Sequence, residues 1–182
     1  MKLNDINRIE NFFTDDDIKE TKFIIDNQRW IFGSSANGFG TKFWKCTFPS
    51  DCDLSKKVLK RLEERYDTKF KINKINVNGQ TYGQDSEFHQ DDAHEDCYTL
   101  LVYISDITPK NFDSIGGCTD IKMTEDSIMS IEPYQKRALL FKSYLTHRGM
   151  APCRKSDILR ISLAFKLQVI KNELPFIIKD CS

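Results

Sequence analysis

The sequence predicts a mainly β fold, a sandwich or barrel of short antiparallel strands with flanking helices. Three observations carry that expectation. Amphipathic helical stretches are confined to the first third of the chain, alternating apolar runs take over from Lys69 onward, and turn residues divide those runs at close intervals.

The first helix is predicted from Asp15 to about Asn27. Thr14 supplies a capping hydroxyl, and Asp15, Asp16 and Asp17 place negative charge at the positive end of the helix. The second starts near Leu54 or Ser55 and ends at Tyr66. Leu54, Val58, Leu59, Leu62 and Tyr66 recur at three-to-four spacing, while lysines, arginine and glutamates cover the opposite side. Between the helices, the Gly/Ser/Asn-rich stretch from Gly33 to Gly40 reads as a short loop, with a substrate-side flap as the alternative. Trp30 and Trp44 read as buried packing residues, with a groove lining as the other option.

Phe70, Ile72, Ile75 and Val77 then alternate approximately with polar residues, and Asn78-Gly79 follows as a turn signal. Further strands are predicted at Tyr98–Ile104, Cys118–Met123, Ile128–Ile131, Ala138–Phe141, Leu159–Leu167 and Leu174–Ile178. Gly116-Gly117 reads as a hairpin turn between two of them. A length of 182 residues suits one domain, 1–182, with helices over about 14–66 and a β core over about 69–168.

Composition narrows the function classes. Lysine plus arginine and aspartate plus glutamate are equal at 27 each, so the basic excess typical of nucleic-acid binding is absent. The opening MKLNDINRIENFF has no apolar core of a secretory signal, and no run reaches membrane-spanning length. Six scattered cysteines without a C-x-x-C pair fit free thiols. The expectation is a protein of the cytoplasm or another reducing intracellular compartment.

Three histidines are present, His89, His94 and His147. His89 and Asp91 are separated by one residue, so on a strand both point to the same face. A histidine from a distant strand completes two imidazoles and one carboxylate on one side of a metal. That set leaves open the positions a non-haem iron(II) oxygenase needs. His147 stands 56 positions beyond Asp91 and is followed by Arg160 and Ser162. A cation on a buried strand suits the far carboxylate of a dicarboxylic acid, because the guanidinium fork bonds both oxygens. Ser162, two residues on, adds a hydroxyl on the same face. His94 and Asp96 form a rival pair, placed in the polar run HQDDAHED between strands and read as loop or supporting residues.

H-x-D, then a distant H, then R-x-S, together with NGQTYGQDSEFHQDD, YTLLVYISD, HRG-x-x-P and RISLAFKL in that order, resembles the 2-oxoglutarate/iron(II) dioxygenase superfamily, in its prolyl 4-hydroxylase-like branch. The resemblance spans roughly residues 70 to 168. It implies a double-stranded β-helix, the jelly-roll of cupin-like proteins. It implies that His89, Asp91 and His147 are the catalytic iron ligands and that Arg160, with Ser162, binds 2-oxoglutarate. Tyr103 matches a position where the family often sets a tyrosine hydroxyl against the same carboxylate, though a core tyrosine is an equal reading. Thr99 lies an even number of residues from Tyr103, so both could face the pocket. A family tyrosine on the preceding strand is missing, with Asn76 or Asn78 in its place.

The cofactors implied are Fe(II), 2-oxoglutarate and dioxygen, with ascorbate as reductant. The reaction implied is hydroxylation with release of succinate and carbon dioxide, since halogenating relatives lack the carboxylate that Asp91 provides. A prolyl residue of a peptide or protein is the substrate this branch suggests. A free amino acid, another small molecule or a nucleobase are the alternatives within the same chemistry. A non-catalytic jelly-roll metal-binding module is the alternative of another class.

Overall fold

The computed structural model describes residues 3–34, 38 and 40–170. The expected strand at Leu174–Ile178, and most of the 35–39 stretch, lie outside the described residues. Ten strands and three helices follow in the order β1 (Ile6–Ile9), α1 (Asp15–Asp26), β2 (Ile31–Ser34), β3 (Phe43–Thr47), α2 (Asp53–Tyr66), β4 (Phe70–Gln80), β5 (Cys97–Tyr103), α3 (Phe112–Ile115), β6 (Thr119–Lys122), β7 (Ile128–Ile131), β8 (Ala138–Lys142), β9 (His147–Gly149) and β10 (Arg160–Val169). A seven-stranded antiparallel sheet runs β1-β8-β5-β10-β4-β3-β2, and a three-stranded one runs β7-β6-β9. The expected jelly-roll core is thus a pair of antiparallel sheets, with the helices outside the larger one.

The helices form for the reasons their termini suggest. Thr14 Oγ1 accepts from the Asp17 amide at 3.2 Å, and Asp17 Oδ2 accepts from the Thr14 amide at 2.8 Å, a complete capping box. Asp17 also pairs with Arg61 of α2 at 2.6 Å, which locks the two helices together. The α2 face of Leu54, Val58, Leu62 and Tyr66 is buried, and Asp67 in the left-handed region (φ 51°) ends that helix.

Strand alternation then gives the large sheet two unlike faces. Leu100 and Val102 of β5, with Leu163 and Phe165 of β10, join the helices in one apolar cluster. Thr99, Leu101 and Tyr103 alternate with them on β5, and Arg160, Ser162, Ala164 and Lys166 do so on β10. On this inner side Leu101, Tyr103, Leu139, Phe141 and Ala164 pack with Ile121 and Ile131 of the small sheet, which holds the two sheets together.

Several local expectations change. Asn78-Gly79 is not a turn: β4 continues to Gln80, with Gly79 paired to Ile161 on one side and Trp44 on the other. Glycine is needed there because Trp30 covers it, and a Cβ would lie 2.9 Å from Trp30 Cζ3. Gly116-Gly117 is not a hairpin turn. Gly116 closes the short α3, and both glycines have positive φ, 71° and 83°. Trp44 is not buried but 37% exposed, because it lies near the sheet edge against Phe32, with ring centroids 5.1 Å apart. Gly33 and Ser34 belong to β2, which pairs with β3, so the predicted loop starts later than its composition suggests. Cys46, Cys52, Cys97, Cys118 and Cys153 are all free thiols. Among the described residues no helix is long and apolar enough to cross a membrane.

Candidate metal centre and co-substrate pocket

Backbone pairing assembles the candidate metal ligands. The amide of His89 donates to the carbonyl of His147, and that of His147 to the carbonyl of His89, both at 2.9 Å, in an isolated antiparallel bridge. The Asp91 amide donates to the carbonyl of Ser143 at 2.9 Å. The three side chains then converge, with one ligand atom from each of His89, Asp91 and His147 lying within 4.8 Å of the others. His89 Nε2 stands 3.6 Å from Asp91 Oδ1, and His147 Nε2 stands 3.4 Å from Asp91 Oδ2.

The ring orientations suit a metal. His89 Nδ1 faces the carbonyl of Glu87 at 3.0 Å and His147 Nδ1 that of Leu145 at 2.8 Å. A carbonyl can only accept, so each Nδ1 carries the proton and each Nε2 keeps its lone pair, pointed toward Asp91. Phe141 packs edge-on against the His147 ring at 4.6 Å and fixes its plane. His94 is exposed and stands apart from this group. Its backbone amide donates to Asp92 Oδ1 at 2.9 Å, so it belongs to the connecting loop.

Asp91 is prepared as an anion. Burial alone would raise its carboxyl pKa, but the donors gathered round it, the Lys166 ammonium among them, overcome that and hold it well below the usual carboxylate range. Asp91 Oδ2 accepts from Thr99 Oγ1 at 2.6 Å and also from the ammonium of Lys166. Thr99 in turn meets Ser143 Oγ at 3.1 Å. Thr99 therefore sits behind Asp91 and is absent from the residues that line the cavity.

An open cavity of about 690 Å³ stands beside the three ligands, and Arg160 and Ser162 line it as well. Arg160 is 2% exposed, and among the described residues no carboxylate pairs with it. Instead Nε donates to the Gly117 carbonyl at 2.5 Å, Nη1 to Gln80 Oε1 at 2.9 Å and Nη2 to Thr119 Oγ1 at 2.9 Å. Burial pushes the guanidinium below its ordinary pKa, though an arginine stays charged. Neutral oxygens orient this cation without cancelling its charge. Tyr103 is fully buried; its hydroxyl donates to Thr119 Oγ1 at 2.8 Å, and it too is missing from the cavity lining. It supports the threonine that supports the arginine.

Composition and spacing did not single out Gln80, Thr119, Gly117 or Lys166. Gln80 and Thr119 are recognisable only through pairing, since β4 sets Gln80 directly opposite Arg160. Lys166 carried a legible signal: it is six residues after Arg160, so alternation places it on the same face. Asn76 and Asn78 both line the cavity.

No protein-family model matches the chain, and no curated protein matches it in sequence. The likeness is in the fold. An oxidoreductase of the 2OG-Fe(II) oxygenase family from Burkholderia pseudomallei aligns at TM-score 0.68 with 9% identity, covering 90% of this chain and 85% of that one. A prolyl-4-hydroxylase from Pseudomonas putida aligns at 0.64 with 11% identity over 92% and 94% of the two chains. HygX from Streptomyces hygroscopicus, solved with nickel, 2-oxoglutarate and hygromycin B bound, aligns at 0.64 with 11% identity over 90% and 82%. The chain has the fold of the 2-oxoglutarate/iron(II) oxygenases and carries a two-histidine, one-aspartate group of ligand geometry within it.

Proposed function

We propose that this protein is an iron(II)- and 2-oxoglutarate-dependent oxygenase that hydroxylates an organic substrate with release of succinate and carbon dioxide. One observation carries the reading: a potential metal triad and a buried arginine with no carboxylate partner among the described residues line the same cavity. His89, Asp91 and His147 would hold the metal by one face, the arrangement typical of non-haem iron oxygenases. Arg160 would bind the far carboxylate of 2-oxoglutarate, with the Ser162 hydroxyl beside it; a dicarboxylate is the anion that this uncompensated cation fits. Bound iron and 2-oxoglutarate would supply the oxidising chemistry, and the protein contributes placement and an open cavity beside the metal group. Asp91 is held ionised, Nε2 of each histidine is free, and Thr99 and Tyr103 act from behind by orienting Asp91 and Thr119.

A prolyl residue of a peptide or protein is the substrate we favour, supported by the sequence resemblance and by the fold shared with the Pseudomonas putida prolyl-4-hydroxylase. A small molecule is the second reading, favoured by the equal likeness to HygX with hygromycin B bound. The whole described chain would serve as one catalytic domain.

The test is succinate formation from 2-oxoglutarate with iron and ascorbate, alongside direct measurement of iron binding. Purified protein should bind iron and turn over 2-oxoglutarate, His89→Ala should lose iron, and His94→Ala should retain it. A chain that binds no iron and forms no succinate is a binding module of the same fold, not an oxygenase.

A further inference from the structure

The inner face of β10 presents two cations to the cavity, Arg160 at the start of the strand and Lys166 six residues on. On the oxygenase reading, which this inference presupposes, a divalent metal, Asp91, the 2-oxoglutarate dianion and Arg160 cancel in charge. The Lys166 end has no such compensation. Lys166 and Lys45 both line the cavity, and Asp91 is the one carboxylate among its lining residues. Lys45 is partly buried, and among the described residues no hydrogen bond or ion pair engages its ammonium group. Lys74 faces Lys166 across the β4–β10 ladder, where the register skips one β4 residue beside the pair. A second hollow shares Lys45 and Asn76 with the cavity and is lined also by Arg29 and Lys74, with no carboxylate among its lining residues. The ammonium groups of Lys45, Lys74 and Lys166 repel one another across this wall.

We propose that the substrate carries a carboxylate, seated between Lys45 and Lys166 in the cavity beside the metal group. The donors on this wall are ammonium groups with the amides of Asn76 and Asn78 alongside. They are point donors without an arginine fork or a helix N-terminus, which suits a singly charged carboxylate better than a phosphate dianion. With a metal drawing on Asp91, Lys166 shares the one carboxylate that pairs with it among the described residues, and an incoming carboxylate replaces what it loses. Lys45 and Lys166 then act as specificity residues, selecting an acid next to the group to be oxidised.

Binding is measured on the full chain loaded with manganese(II) and 2-oxoglutarate, by calorimetric titration. The probes are blocked tripeptides with proline flanked by two glutamates, two glutamines or two lysines, and N-acetylglutamate as a free acid. At least one glutamate ligand should bind about tenfold or more tightly than the glutamine tripeptide, an advantage that falls with rising salt. Lys45→Gln should remove most of that advantage, and Lys45→Glu with Lys74→Glu should turn the preference toward the lysine tripeptide. Tight binding of the glutamate tripeptide alone places the carboxylate on a peptide; tight binding of N-acetylglutamate alone places it on a small acid. Equal binding of glutamate and glutamine tripeptides, a preference that survives Lys45→Glu, or no binding of any acid overturns the inference. The manganese and 2-oxoglutarate titrations in the same series report on the oxygenase reading separately, so a lost acid preference with both intact rejects this inference alone.

Discussion

The two faces of the seven-stranded sheet are built from the same strands and do different work. Its outer face meets α1 and α2 through leucine, valine, isoleucine and phenylalanine, nearly all fully buried. Its inner face interleaves five buried residues of the apolar cluster, Leu101, Tyr103, Leu139, Phe141 and Ala164, with Thr99, Arg160, Ser162 and Lys166. Apolar burial stabilises without direction, whereas a buried cation costs free energy unless something anionic meets it. The outer face is where the fold is held, and the inner face is where stability is given up to hold charge in place.

Substitutions on the two faces should therefore separate stability from binding. Leu100 is fully buried on the outer face, and Leu100→Ala should cost about 2–5 kcal/mol of stability, read from urea unfolding. Arg160→Met on the inner face should weaken 2-oxoglutarate binding by about 2 kcal/mol or more, roughly thirtyfold, with a smaller loss of stability than Leu100→Ala. If Arg160→Met instead unfolds the chain as severely as Leu100→Ala, the contrast between the faces is broken. Thr99→Val removes the hydroxyl behind Asp91 and keeps the shape; metal affinity should fall about 10- to 100-fold, measured by competition with a chelator. Unchanged metal affinity there would make Thr99 merely a packing residue. Thr14→Ala, at the exposed start of α1, should lower stability by about 1 kcal/mol through the lost cap and leave 2-oxoglutarate affinity untouched.

The outer face was the more legible in the sequence. The α2 periodicity and the capping residues of α1 give local signals, and both helices fall within a residue or two of the expected bounds. The strands β5, β7, β8 and β10 also lie where β-type runs predicted them. The short β1, β2 and β9 carry too few residues for a period, and they exist because partners elsewhere in the chain complete them. Of the candidate site, H-x-D, His147 and Arg160 were visible as residue types in order. What surrounds them was not, because Thr119 and Gln80 acquire their roles only through pairing across strands distant in sequence. Gly117 shows the same thing: its dipeptide looks like a turn, yet its carbonyl holds Arg160.

The reciprocal backbone bonds between His89 and His147 bear on how an ion would be taken up. Two ligands far apart in the chain are already clipped together by the main chain. The entropy of closing that long loop is therefore settled when the protein folds, and none of it falls on the metal. A zinc finger, by contrast, gathers its ligands only as the ion arrives, so that chelation unravels it. This centre should behave as a rigid socket: a chelator would empty it while leaving the jelly-roll standing, and metal exchange would follow ligand chemistry, free of any refolding step.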